Sequence, residues 1–435
     1  MAPVADRSAG TRVKPDRSAR LIHLACFASD LTGFWRAALL VVVLLLAACA
    51  PAPAPTPPPP ATPPPPAIEG FTRADGPRSF SFPADHGPHP DYQTEWWYFT
   101  GNLQAPDGRR FGYQVTIFRR ALIPPASLPE RASDWGGGQV YMGHFALTDV
   151  AADRHQAFER FGRGAAGVAG AWPESPASAA SQPFAVWLQD WRVEALPDQP
   201  ADCPSSAPGS PCRFRLTASA GEPGAPVSLD LILQDRKGPV LQGDQGYSQK
   251  GAGPGQASYY YSLTRMETQG SLQTGGDRWE VSGLSWMDHE FSTSALSADQ
   301  VGWDWFSLQL DDGSELMLFQ IRRADGSLDP FSSGTLVAAD GSTIALQQND
   351  FILQPLDTWT SPRSGGVYPA GWKLSVPSAG LELEIQPLTA DQELNVSYAY
   401  WEGAVRAAGQ RQGQPVSGYG YVELTGYSGS MGGEF

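Results

Sequence analysis

EWWYFTGNL, residues 95–103, places four aromatic side chains in a row ahead of a Gly-Asn pair. Aromatic and β-branched residues pack well on a pleated, half-buried surface, so the run predicts a strand. Asp107-Gly108 follows, a pair that readily adopts the positive φ of a tight hairpin turn. Residues 111–118, FGYQVTIF, then read as a second strand that ends in Arg119-Arg120. The same order returns roughly 200 residues later: Trp303-Asp304-Trp305-Phe306, Asp312-Gly313, and a strand ending in Arg322-Arg323. Similar short runs lie at 184–188, 191–195, 227–234, 259–266 and 314–321, separated by Gly, Asp, Asn and Pro. Few segments show helical periodicity. The pattern predicts an all-β sandwich or barrel, and the internal echo suggests duplication of one β unit into two domains.

Composition narrows the function classes. The chain has 435 residues, 30 Lys plus Arg against 45 Asp plus Glu, and a formal charge of −15. That balance disfavours nucleic acid, whose phosphates need a basic footprint. Fourteen Trp, 14 Tyr and 19 Phe supply bulk for a core or a ligand cavity, while 47 Gly and 40 Pro speak for many turns and against a helical bundle.

The N-terminus reads as a targeting segment. Residues 37–48 are an uncharged apolar run behind Arg36, too short for a bilayer span of about 20 residues and suited to a signal-peptide core. It ends in Leu46-Ala47-Ala48-Cys49, which resembles a bacterial lipobox, so 1–48 is expected to be a signal peptide and Cys49 the lipidated residue. Residues 49–68 are rich in Ala, Pro and Thr and are expected to form a semi-rigid polyproline stalk. This places the protein at the cell envelope, anchored by lipid on the periplasmic or extracellular side of a membrane. In that oxidising setting Cys203 and Cys212, ten positions of turn-forming sequence end to end, are expected to form a loop disulfide rather than a metal site.

Two longer blocks carry a resemblance. His89-Pro90-Asp91-Tyr92-Gln93-Thr94-Glu95-Trp96-Trp97-Tyr98-Phe99-Thr100-Gly101-Asn102-Leu103 resembles the opening signature of the AttH and carotenoid-hydratase-like family. Ser285-Trp286-Met287-Asp288-His289-Glu290-Phe291-Ser292, followed by Gln300-Val301-Gly302-Trp303-Asp304-Trp305-Phe306, resembles its second block. The resemblance implies two lipocalin-like antiparallel β-barrels packed together. An N-terminal domain over 69–270 and a C-terminal one over 271–435 are expected. Bacterial members are described as secreted hydrolases or carotenoid 1,2-hydratases, and related folds handle polyenes and other isoprenoid or polyketide substrates.

The densest polar cluster is Asp288-His289-Glu290. On a strand, alternate residues share a face, so Asp288 and Glu290 point together and His289 points away, whereas a bulge or a loop there lets all three converge. The cluster reads as interdomain hydrogen bonding, as acid–base chemistry, or as part of a metal site completed by His144 or His86; no metal is assigned. Glu95, beside His86, His89 and Asp91, reads either as a desolvated acid or as the partner of an Arg such as Arg119. His144 in its apolar strand reads as a satisfied core residue. The hydratase chemistry that the resemblance implies would have Asp288, with Glu95 as second choice, protonate a C=C, and His289 orient the acid or deliver water. Trp96, Trp97, Tyr98, Trp286, Trp303 and Trp305 would line the cavity and steady a carbocation. Glu290 and Phe291 depart from the Asp-His-Asn and Trp expected of true hydratases, and 315–319 shows no Tyr-x-Asp pair. No phosphate-binding loop and no Gly-x-Ser-x-Gly elbow is present, and no cofactor is expected.

The sequence therefore points to an exported lipoprotein that binds a hydrophobic isoprenoid or lipid at a barrel mouth or domain interface, and that acts as a hydratase or isomerase if it is an enzyme. The alternative is a non-catalytic envelope lipoprotein working beside an ABC-type transporter.

Overall fold

The run at 95–103 forms the middle of a large antiparallel sheet. The computed structural model describes residues 69–431, apart from 130–132, 134, 174–182, 205–209, 223 and 295. The expected signal peptide (1–48), the lipidated Cys49 and the stalk (49–68) lie outside the described residues.

The first sheet has thirteen strands. They are β1 (Thr94–Gln104), β2 (Arg110–Ala121), β3 (Gln139–Asp149), β4 (Arg154–Arg163), β5 (Ala169–Trp172), β6 (Ala185–Leu188), β7 (Trp191–Ala195), β8 (Arg213–Glu222), β9 (Ala225–Asp235), β10 (Pro239–Leu241), β11 (Tyr247–Gln249), β12 (Ala257–Thr274) and β13 (Asp277–Ser294). Its order is β4-β3-β2-β1-β13-β12-β9-β8-β7-β6-β5, with β10 and β11 paired to β12. The sheet curls until β6 packs against β2, β3 and β4.

The second group comprises β14 (Gln300–Leu310), β15 (Glu315–Arg323), β16 (Ser333–Val337), β17 (Thr343–Gln347), β18 (Ile352–Pro355), β19 (Thr358–Thr360), β20 (Val367–Pro369), β21 (Trp372–Val376), β22 (Leu381–Pro387), β23 (Glu393–Asn395), β24 (Ala399–Arg411) and β25 (Gln414–Leu424). Its main order is β17-β16-β15-β14-β25-β24-β22-β21-β18, with β23 on β24, and β19 and β20 forming a separate ladder. The two sheets make a nearly closed barrel and a half-barrel. Their orders run in parallel: an opening meander whose first strand pairs with the last strand of its own sheet, β1 with β13 and β14 with β25. The echo read from the sequence is thus matched by a repeated topology.

The expected boundary between 270 and 271 falls inside β12. The β12–β13 hairpin completes the first sheet, so the changeover between sheets comes after Ser294 and before Gln300. Pairing decides this: β13 is hydrogen-bonded along its length to β1 and could not leave without opening that ladder.

Strand alternation sends one face of each sheet to its own core. Trp97, Phe99, Leu103, Val115, Ile117, Phe145 and Trp191 fill the first barrel, and Phe306, Leu308, Trp372, Trp401 and Val422 the second. The opposite faces of β1, β12, β13, β14, β15, β24 and β25 meet each other, with Tyr98, Tyr260, Trp286, Trp305, Met317, Phe319, Ile321, Ala404 and Tyr421 buried between them. Tyr98 and Trp305, from the two echoing strands, meet edge to face at 5.2 Å. Polar clamps flank this junction. Glu315 is buried and accepts from Lys237 Nζ at 2.6 Å and from Arg265 Nε. Gln309 Nε2 donates to the Thr264 and Ser285 carbonyls at 2.8 and 2.9 Å. Cys203 and Cys212 are joined by a disulfide, their Cα atoms 5.6 Å apart.

Candidate functional site

Side chains fill the core of each sheet, and an aromatic-lined pocket lies between the sheets. This pocket has about 920 Å³ of space between atoms, its open mouth included. Trp96, Phe118, Lys250, Leu296, Trp303 and Tyr398 surround the half-exposed end, and Tyr98, Tyr260, Asp288, Trp305, Phe319, Tyr400 and Glu402 lie deeper. Ligand clefts are typically lined by apolar and aromatic side chains with a few placed polar groups, and this lining has that character.

Period-two geometry explains who faces it. On β13, Asp288 and Glu290 point into the junction, while His289 points into the first barrel. On β1, Trp96 and Tyr98 line the pocket, whereas Glu95 and Trp97 face the barrel interior. Trp303 and Trp305 of β14 complete the aromatic wall.

Asp288 is the best-defined acid. Tyr260 Oη donates to Oδ2 at 2.6 Å, and Ser262 Oγ and Trp286 Nε1 donate to Oδ1 at 2.5 and 2.7 Å. Burial pushes its carboxyl up to about 7, against those three donors and with help from nearby Glu290. Trp305 Nε1 donates to Tyr260 Oη at 3.1 Å, so the second sheet also steadies this acid. Glu290 accepts from Ser258 Oγ and pairs with Lys250 Nζ at 3.3 Å.

The facing wall holds two carboxyls absent from the sequence reading. Glu402 and Glu423 are cross-strand partners on β24 and β25, and both line the pocket. Burial pushes Glu423 up to about 7, aided by Asp288 and Glu290 and opposed by Trp303 Nε1, which donates to it at 2.9 Å. Burial and Glu423 push Glu402 well above the usual carboxylate range, against a smaller pull from the nearby Tyr98 and Tyr400 hydroxyls. A carboxyl in the inward phase of an apolar strand, as in AYWEGAV (399–405) and GYGYVEL (418–424), was the available signal.

Glu95 does not reach the pocket. Arg119 Nε donates to its Oε2 at 2.7 Å, and His89 Nδ1 and His289 Nε2 lie 2.8 Å from Oε1. Burial favours the neutral carboxyl, but Arg119 and the two imidazoles outweigh it and hold Glu95 well below the ordinary range. A group so firmly ionised, on the barrel side of β1, cannot serve as the second-choice acid. Trp97 is likewise on the barrel side: it stacks on His289 at 4.8 Å and donates through Nε1 to the His86 carbonyl. Trp286 lies behind the wall and holds Asp288 rather than lining the cavity.

His289 and His86 lie within hydrogen-bonding distance of Tyr261 Oη, at 3.1 and 2.7 Å. Burial pushes His86 down to about 3 and lowers His289 too, so both are neutral. Burial also works against protonation of His89, but its position between Asp85 and Glu95 wins and raises it. His89, Glu95 and His289 have the spacing of a metal trio. Arg119 already supplies the positive charge at that carboxylate, and a dication there would face the guanidinium directly. His144, read as a satisfied core residue, bridges Glu159 Oε1 at 3.1 Å and Tyr400 Oη at 2.7 Å.

The AttH-like family profile matches residues 73–427. The chain belongs to the AttH-like family. A crystal structure of an AttH-type protein from Nitrosomonas europaea is similar over 80% of this chain and 97% of that one, with 34% identity and a TM-score of 0.67. Kievitone hydratase from Nectria haematococca matches over 83% of this chain and 98% of its own, with 17% identity and a TM-score of 0.55. CghA, solved with Sch210972, matches over 83% and 97%, with 12% identity and a TM-score of 0.51. Dehydratase asqC of Emericella nidulans is 23% identical over 209 residues, 46% of this chain and 58% of that protein, so the match spans little more than half of the curated relative. This AttH-like chain thus shares its fold with a hydratase.

Proposed function

We propose that the protein is an acid–base catalyst of water addition or elimination on a hydrophobic small molecule held between its two sheets. The observation that carries this reading is the placement of Asp288: a buried carboxyl on the wall of an aromatic pocket, held by three donors, with burial pushing its pKa up to about 7. General acids work best when their pKa lies near the operating pH. In hydration, the Asp288 proton goes to one alkene carbon and the π electrons form the new C–H bond. The positive charge left on the other carbon faces Trp96, Trp303 and Trp305, whose rings attract cations. Water then adds there, and its surplus proton returns to the Asp288 carboxylate. Elimination is the reverse, with Asp288 protonating the departing hydroxyl. Tyr260 and Ser262 hold the carboxyl in place through both halves. The hydratase and dehydratase among the similar proteins fit this class of reaction.

The test is incubation of the purified protein with isoprenoid and aromatic alkenes and the matching alcohols, read by mass spectrometry for gain or loss of one water. Asp288→Asn should lower turnover at least about 100-fold with the circular dichroism spectrum intact. Unchanged turnover in this variant removes Asp288 as the acid.

A further inference from the structure

Asp288 stands on the wall built by the first sheet, and Glu402 stands on the wall built by the second. Glu402 is fully buried, yet neither of its carboxyl oxygens has a hydrogen-bond partner among the described residues. The Tyr98 hydroxyl belongs to the same pocket and lies close enough to act on the Glu402 carboxyl, yet it too makes no hydrogen bond of good geometry among the described residues. Tyr400 lies near Glu402 but its hydroxyl proton is engaged elsewhere: His144 Nε2 faces the Glu159 carboxylate, which places the imidazole proton there and leaves Nδ1 to accept from the Tyr400 hydroxyl. Buried polar groups are rarely left without partners, because each one costs free energy on folding.

We infer that Tyr98 and Glu402 form a receptor for an oxygen of the substrate, and that the substrate is an uncharged hydrophobe carrying a hydroxyl or carbonyl group. The inference rests on the junction pocket being the substrate site. A plain hydrocarbon would leave both polar groups as they are, so it gains nothing from them. An oxygenated ligand pairs them, and sites built to hydrogen-bond an oxygen reject analogues that lack it. A carboxylate or phosphate ester is excluded by charge. Asp288, Glu290 and Glu423 put acidic groups on the pocket wall, and the one cation among its described lining residues, Lys250, is paired with Glu290 and sits 4.0 Å from the Phe319 ring centre. Glu402 is held neutral by its burial, so its carboxyl can donate to a carbonyl or accept from a hydroxyl. The oxygen then enters first, and the body of the molecule lies back along the aromatic walls toward Asp288 and the mouth.

Equilibrium dialysis of the whole protein against 4-phenylphenol, biphenyl and biphenyl-4-carboxylate tests this. The phenol should bind at least about tenfold more tightly than biphenyl, with the carboxylate weakest. In Glu402→Leu and in Tyr98→Phe, with folding checked by circular dichroism, the preference for the phenol should shrink to about twofold or less. Equal or tighter binding of biphenyl or of the carboxylate by the unaltered protein overturns the inference and leaves the pocket reading standing. Binding of none of the three overturns the pocket reading and the inference with it. The comparison on the unaltered protein decides even where a variant does not fold.

Discussion

Asp288 and Glu95 are both buried carboxyls, yet their neighbours drive them to opposite protonation states. Asp288 is surrounded by neutral donors and a like charge, so burial dominates and its pKa reaches about 7 from 3.8. Between those values the folded chain holds a proton that the unfolded chain has released. The stability contributed by this group is therefore full below about pH 4 and is lost as pH rises through 7. Asp288→Asn removes the effect, so the melting temperature of the variant relative to the parent should climb from pH 4 to 7 and then level off, with a limit on the order of 4 kcal/mol. Thermal unfolding followed by circular dichroism at stepped pH measures it. Glu95 has a guanidinium in contact and stays ionised. Arg119→Met should cost about 3–5 kcal/mol in denaturant unfolding, because the carboxylate is then buried without its partner. The pairing with Arg119 was one of two readings open in the sequence. A partner 24 residues away cannot be read from composition; it is fixed by the β1–β2 register that sets Glu95 opposite Arg119.

At the level of strands, the site depends on how closely two sheets approach. Gly112 on β2 lies against Ala404 on β24, and a Cβ at 112 would come within 2.5 Å of the Ala404 Cβ. Gly112→Ala should destabilise the protein by about 1–3 kcal/mol through this overlap. Ala404→Gly in the same chain should restore most of that loss, giving a coupling energy in a double-mutant cycle; additive effects would show that the sheets do not press together there. Alternation along β13 is legible from the residues and separates Asp288 and Glu290 from His289; along β1 the run of four aromatics hides it, so that Trp96, Trp97 and Tyr98 all read as cavity lining. The direction of each face was not legible. Both faces of β1 are aromatic and buried, so hydrophobicity could not say that Trp96 and Tyr98 meet the second sheet while Trp97 enters the barrel.

Across the molecule, the sheets share clamps and an apolar junction, and their unfolding should be coupled. Calorimetry should show one transition for the described domain pair, and Glu315→Leu should lower its stability by about 3–5 kcal/mol, because Lys237 and Arg265 then lose a buried counter-charge. Two resolved transitions in the parent protein would mean that the junction does not couple the sheets. At this scale too we propose that the protein is tethered through Cys49. Cys49→Ser should move it from the membrane to the soluble fraction of cell lysates, and unchanged partition would remove the anchor. The sequence by itself determined the strand-rich class, the doubled aromatic hairpin and the placement of Asp288 on a strand face, because turn residues and period-two patterning are local and carry their meaning in neighbouring positions. Only the tertiary structure decided that side chains fill the core of each sheet and that the pocket lies between the sheets. It alone brought Glu402 and Glu423, more than 100 residues from Asp288, into the same pocket, since which two sheet faces meet depends on long-range pairing and packing that no short stretch encodes.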